Sequence, residues 1–138
     1  MKQLFINLPV KDIEASMTFY SQMGFINYPL FTFDDQKCMV WGDHIYLMLQ
    51  TYQMSQKVEL KNIADPKTSR IATFTLPVES LEKVNEIVAK CLNAGGKELT
   101  EAIDEGFMQI RNIEDLDGHQ WAVIYVNIEK FKEVTGRE

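Results

Sequence analysis

Leu8-Pro9-Val10-Lys11-Asp12-Ile13-Glu14 and Leu76-Pro77-Val78-Glu79-Ser80-Leu81-Glu82 decide how this chain folds. Both copies run from Leu-Pro-Val, through a short polar residue suited to capping a helix, to an apolar residue and a glutamate. The second copy starts 68 residues after the first. A repeat at a fixed offset is the mark of one supersecondary unit built twice.

Around the first copy, Leu4, Ile6, Leu8 and Val10 recur at every second position, which is strand periodicity. Phe5, Asn7 and Pro9 then belong to the opposite face. Asp12 reads as a helix N-cap, and Ile13, Met17, Tyr20 and Met23 follow at helical spacing with Phe19 beside them. Gly24 supplies the stop. Phe25 to Phe33 is aromatic and strand-prone, broken at Pro29, and Asp34-Asp35-Gln36 makes a turn. Lys37 to Trp41 and Ile45 to Thr51 read as strands of a hairpin turning at Gly42-Asp43-His44. Residues 52–68 are polar and connect the halves, with a short helix expected around Met54 to Ile63.

Around the second copy the order recurs. Arg70 to Leu76 reads as a strand. Ser80 caps a helix with the stripe Leu81, Val84, Ile87, Val88, Cys91 and Leu92, ended by Gly95-Gly96. Lys97 to Ile103, Phe107 to Ile113 and His119 to Val126 read as strands, with a turn at Asp115-Leu116-Asp117-Gly118 and a short terminal helix over Ile128 to Val134. Each half is therefore βαβββ. The expected architecture is α+β: two βαβββ modules forming a curled mixed sheet around a cavity, helices outside. The expected organisation is one domain over 1–138, with an N-terminal module over about 1–52, a connection over about 53–68, a C-terminal module over about 69–127 and a tail over about 128–138.

Composition limits the function classes. The 138 residues suit one domain, and 46% hydrophobic with 25% charged residues is ordinary for a globular protein. A net charge of -6 with scattered Lys and Arg offers no phosphate-binding stripe, so no nucleic-acid partner is expected. No apolar run is long enough to span a membrane, and the first residues pass directly into a strand pattern, so the expectation is a cytoplasmic protein without a membrane partner. Cys38 and Cys91 both lie in apolar patterns and read as small buried hydrophobes, not a disulfide.

Two further stretches carry a family resemblance. Leu8-Pro9-Val10-Lys11-Asp12, running to Phe19-Tyr20 and Gly24-Phe25, resembles the opening of the glyoxalase/bleomycin-resistance/extradiol-dioxygenase (vicinal oxygen chelate) superfamily. Asp115-Leu116-Asp117-Gly118-His119-Gln120-Trp121 is similar to that superfamily's closing Asp-Pro-Asp-Gly motif, and Ala94-Gly95-Gly96 fits after the second helix. The order and spacing of these motifs cover nearly the whole chain and look most like bacterial proteins called predicted lactoylglutathione lyases. The resemblance implies a homodimer, and it implies a divalent metal held by four side chains from four strands. Carried over residue by residue, those four positions are Phe5, Met48, Thr73 and Ala122, where His, Glu, His or Gln, and Glu stand in metal-binding members. Phe5 and Ala122 have no donor atom, and Met48 offers only a soft thioether. Shifting the alignment by one or two residues brings in no carboxylate. No metal and no other cofactor is therefore expected, and the metal-stabilised enediolate chemistry of glyoxalase I loses its main electrostatic support.

Other chemistry has thin support. His44 reads as a turn residue and His119 as a residue packing the Asp-Gly turn. The carboxylates Glu101, Asp104 and Glu105, and Glu114, Asp115 and Asp117, flank turns where charge is normally solvated. No catalytic residue is assigned. The expected cavity lining is Phe5, Asn7, Tyr46, Met48, Gln50, Thr73, Thr75, Arg111, Gln120 and Ala122, which is apolar with a few hydrogen-bonding groups and suits an unidentified small organic ligand. Trp41, Phe31 and Phe33 are further aromatics able to stack on a ligand. The expected function is that of a glyoxalase-like protein binding a small molecule without a metal. Two alternatives stand beside it: a lyase or isomerase using a displaced metal site or acid–base residues such as His119 and Glu114, and a protein-interaction module with a vestigial pocket.

Overall fold

The computed structural model describes residues 2–58 and 61–138 and divides into two compact units, Met1–Ser69 and Arg70–Glu138. In the first unit the order is β1 (Leu4–Val10), α1 (Ile13–Met23), β2 (Ile26–Asn27), a 3-10 turn (Pro29–Phe31), β3 (Gln36–Trp41), β4 (Ile45–Thr51) and α2 (Tyr52–Val58). In the second it is β5 (Phe74–Pro77), α3 (Leu81–Asn93), β6 (Lys97–Glu98), β7 (Ile103–Asp104), β8 (Met108–Glu114), β9 (Gln120–Val126) and α4 (Ile128–Thr135).

Each unit carries its own mixed sheet, and the two have one topology. The first runs β1-β4-β3-β2 and the second β5-β9-β8-β6, with β7 also paired to β8. The opening strand of each unit lies parallel to its closing strand, β1 to β4 and β5 to β9, and the other pairs are antiparallel. That pattern is what a βαβββ repeat requires: the helix returns the chain, so the first strand meets the last in parallel.

The repeated phrase acts as the periodicity predicts. The Asp12 carboxylate accepts from the Ala15 backbone N–H at 3.0 Å, and the Ser80 hydroxyl accepts from the Lys83 backbone N–H at 3.1 Å. Helix α1 ends at Gly24 with φ 112, a left-handed value that glycine adopts without strain. One face of each sheet takes its helix. Phe19, Tyr20 and Met23 of α1 are buried with Leu8, Val10, Met39, Leu47 and Leu49. Val84, Ile87, Val88 and Cys91 of α3 are buried with Leu76, Ile113, Trp121 and Val123.

Several boundaries differ from expectation. The aromatic stretch from Phe25 forms a strand only over Ile26–Asn27 before the 3-10 turn takes over. Pro29 has no N–H for a ladder, and the Thr32 hydroxyl caps the turn by donating to the Tyr28 carbonyl at 2.9 Å. The expected strand from Arg70 pairs only from Phe74, and Ile71 is 97% exposed. The strand expected over Lys97 to Ile103 is split into two residue pairs, each bonded to β8. Helix α2 begins at Tyr52, not Met54, and is described to Val58; Glu59 and Leu60 lie outside the described residues, and Ile63 is not helical. On α3, Leu81 and Leu92 are 39% and 43% exposed, so the buried stripe is narrower than its sequence pattern.

Candidate functional site

The face of the first sheet turned away from α1 is built by alternation. In the parallel pair, Phe5 stands beside Tyr46, Asn7 beside Met48 and Pro9 beside Gln50. Across the hairpin, Val40 stands beside Tyr46, Cys38 beside Met48 and Gln36 beside Gln50. Directly paired residues project to the same side of a sheet, so these residues share one surface. Five of the ten expected lining residues, Phe5, Asn7, Tyr46, Met48 and Gln50, are thereby brought together.

An aromatic group occupies one end of this surface. The Phe5 and Tyr46 rings stack with centroids 4.4 Å apart and planes 7° from parallel. Phe31 approaches Phe5 at 6.3 Å, and Tyr28 meets both Phe31 at 5.2 Å and Tyr46 edge-on at 5.8 Å. Phe5 remains 42% exposed. The 3-10 turn puts Tyr28 and Phe31 there, and side-chain bonds hold it in place. The Asn27 amide donates to the Thr32 hydroxyl at 2.8 Å and to the Cys38 carbonyl at 3.1 Å. An open depression of about 450 Å³ lies on this unit, bordered by Ile26, Tyr28, Pro29 and Val40 among others.

The other end of the surface is polar and closed. Gln50 is 3% exposed and Met48 8%. The Gln50 amide donates to the Gln36 carbonyl oxygen at 3.1 Å, and the Gln36 amide donates to the Phe31 main-chain carbonyl at 3.2 Å. The Gln50 Oε1 atom is buried and accepts no hydrogen bond from the described residues. Cys38 is fully buried on the same surface, and burial pushes its thiol pKa up, so it is a packing residue rather than a nucleophile.

In the second unit, Thr75 stands beside Ala122 in the parallel pair, Ala122 beside Asn112, and Gln120 beside Glu114. Thr75 is exposed, Gln120 partly exposed and Ala122 buried. Thr73 precedes β5 and accepts from Arg70 Nη1 at 3.1 Å. Arg111 projects to the opposite face, beside Val123 and toward α3. Its guanidinium donates twice to the Glu98 carboxylate, at 2.7 Å each, and once to Asn85 Oδ1 of α3 at 3.0 Å. The Arg111 side chain thus ties helix to sheet. Strand parity separates it from Thr75 and Ala122, and parity was legible only once β8 had a register.

The carboxylate clusters are more structured than expected. Asp115 and Asp117 are 3% and 6% exposed rather than solvated. Asp115 Oδ1 accepts from the backbone N–H groups of Asp117, Gly118 and His119 at 3.0, 2.9 and 2.8 Å. Three backbone donors replace the lost water, which explains how a carboxylate is buried in a turn. Asp104, in the other cluster, accepts from the Gly106 N–H at 2.8 Å and from Gln109 at 3.0 Å, and these bonds lower its pKa.

The metal implied by the motif resemblance does not fit the residues present. Phe5 puts a stacked ring where a ligand atom is required, and Ala122 puts a methyl group. Among the described residues, no group of three or more His, Cys, Asp or Glu is placed to hold an ion. Gln36, Cys38 and Tyr28 join the surface without having been expected there. The three-residue turn Gly42-Asp43-His44 sets the hairpin register and so could have placed Gln36 and Cys38, whereas Tyr28 depends on the 3-10 turn.

No family model matches the chain, and no curated protein matches it. Solved structures do. A hypothetical protein from S. aureus has a TM-score of 0.77 and 23% identity, with 91% of this chain and 94% of that one covered. A glyoxalase-related enzyme from Fulvimarina pelagi has a TM-score of 0.74 and 20% identity, covering 91% and 88%. A bleomycin resistance determinant encoded on the transposon Tn5 has a TM-score of 0.59 and 20% identity, covering 91% and 98%.

Proposed function

Starting from a chain that has the fold of the glyoxalase/bleomycin resistance/dioxygenase proteins, we propose that it binds a small organic molecule on the aromatic face of its N-terminal sheet, without a metal at the position the family uses. The observation that carries this reading is the Phe5–Tyr46 stack, left 42% exposed at Phe5 on a face that α1 does not cover. A flat apolar surface of this kind gains most when another ring covers it, since stacked pairs contribute about 0.5–1.5 kcal/mol beyond area burial. The neighbouring 450 Å³ depression has the volume of a small-molecule site. The motif resemblance and the likeness of fold support the same reading, because a bleomycin resistance determinant shares this fold.

The test is a fragment screen by two-dimensional amide NMR on the intact chain. Planar aromatic fragments are expected to shift Phe5, Asn7, Tyr46 and Met48, and Phe5→Ala is expected to weaken them about tenfold. A screen in which no fragment moves these signals overturns the reading. The same proposal extends to the homodimer and to work in the cytoplasm. Exposed Ile26, Leu30 and Phe33, at 72%, 66% and 59%, favour self-association. Two free cysteines suit a reducing compartment. Sedimentation velocity checks the dimer: a single monomer species at all concentrations removes it.

A further inference from the structure

We propose that the open depression beside the ring stack selects an organic cation, an ammonium or quaternary ammonium group on an apolar body, with the Asp43 carboxylate and the Tyr28 ring recognising the charge. The inference rests on the binding face proposed above and adds which molecules it prefers. Two independent observations meet here. One is an apolar floor that continues the ring stack. Phe5 pairs with Tyr46, Tyr46 with Val40 and Val40 with Ile26, so one row of side chains crosses all four strands on one surface. Ile26, Tyr28, Pro29 and Val40 border the depression of about 450 Å³. The other is the charge at its rim. Among the described residues that border it, Asp43 is the one Asp, Glu, Lys, Arg or His.

A ligand can reach these groups. Ile26 is 72% exposed, Asp43 is exposed, and a Cβ built on Gly42 would meet nothing within 4 Å. Asp43 is also not spent on the fold, since among the described residues no ion pair or side-chain hydrogen bond holds its carboxylate. Asn27 borders the depression too, but its amide already donates to the Thr32 hydroxyl and to the Cys38 carbonyl. An anion would therefore find neither a cationic side chain nor the Asn27 amide. A cation gains from the negative face of an aromatic ring and from the carboxylate together. Water and salt screen an exposed carboxylate, so the preference is graded, about fivefold, rather than absolute.

The probes are trimethyl(4-hydroxyphenyl)ammonium and 4-tert-butylphenol, which share a shape and differ by one positive charge. Both are titrated into the wild-type chain and into Asp43→Asn by amide NMR, at low and at high salt. Wild type is expected to bind the cation about fivefold more tightly, with shifts at Ile26, Val40 and Gly42, and to lose most of that preference in high salt. Asp43→Asn is expected to bind the neutral probe as wild type does and the cation about threefold more weakly. The wild-type comparison stands even if the variant does not fold. Equal affinity of wild type for both probes, or a preference that Asp43→Asn keeps in full, overturns the inference and leaves the binding face standing. Shifts at Phe5 and Tyr46 with none at Ile26, Val40 and Gly42 have the same meaning. Signals of Ile26, Val40 and Gly42 that follow protein concentration and ignore both probes give the depression to a second copy of the chain and overturn the inference. If neither probe moves any of these five residues, the binding face falls with it.

Discussion

Arg111 shows how one side chain can look like a site residue and act as a strut. It reaches Glu98 with two bonds of 2.7 Å and Asn85 with one of 3.0 Å, so it joins β6, β8 and α3. The guanidinium holds the Glu98 carboxyl below its usual range. A carboxylate with a depressed folded-state pKa stabilises the fold above its unfolded pKa, and that contribution is lost as pH falls through the folded value. Arg111→Met is therefore expected to cost about 1–3 kcal/mol near neutral pH and less as acid lowers the pH toward the depressed Glu98 value. Urea denaturation at pH 7 and pH 3 checks both points; an unchanged difference between the two pH values would show that Glu98 is not the partner that matters. Cys91 makes the opposite case. Burial first, then the charges of Asp115, Glu114 and Glu98, push its thiol up to about 11 from an ordinary 9.0. Its raised value means stability is complete below the unfolded pKa and declines as pH climbs from near 9.0 toward about 11. Native protein at pH 8 is expected to resist iodoacetamide at Cys91, with labelling appearing in denaturant, as read by peptide mass spectrometry.

At the scale of elements, the repeated phrase builds its two helices through their caps. Asp12 and Ser80 each satisfy a first-turn backbone donor, and Asp12→Ala or Ser80→Ala is expected to cost about 1 kcal/mol by thermal or chemical denaturation. The C-terminal end of α3 is less tolerant. Gly95 has φ +103, and a Cβ there would stand 3.1 Å from Leu116 Cδ2 in the Asp-Gly turn region. Gly95→Ala is expected to destabilise by more than either cap, since it combines a left-handed backbone with a contact against the packed turn. A melting temperature equal to wild type would mean that both Leu116 and the helix end yield freely. The 3-10 turn at Pro29–Phe31 is the element that the periodicity of the sequence misses. Its aromatic residues have strand propensity, but Pro29 and the Thr32 hydroxyl favour a local turn, and packing of Phe31 on Phe5 completes it.

For the whole molecule, two units of the same topology carry one face each that a helix covers and one that it does not. The metal question belongs at this scale, because four strands would each have to contribute a ligand. Zinc, nickel, manganese or iron is expected to leave the melting temperature within error, since a ligand bound only by the folded state would raise it. A reproducible rise, with about one equivalent of metal by mass spectrometry, would mean that donors other than Phe5, Met48, Thr73 and Ala122 hold an ion. The amino-acid order determined the two βαβββ modules, both helix caps, the hairpin and the assignment of Phe5, Asn7, Tyr46, Met48 and Gln50 to one face. These depend on local periodicity and capping chemistry, which act over a few residues. Tertiary structure decided the rest. The register of β8 against β9 turned Arg111 toward α3, and the 3-10 turn brought Tyr28 and Phe31 onto the ring stack. Burial also left Gln50 Oε1 without a donor among the described residues. Each of these is a non-local meeting of groups, and side-chain parity and hydrogen-bond satisfaction have values only after distant strands have paired.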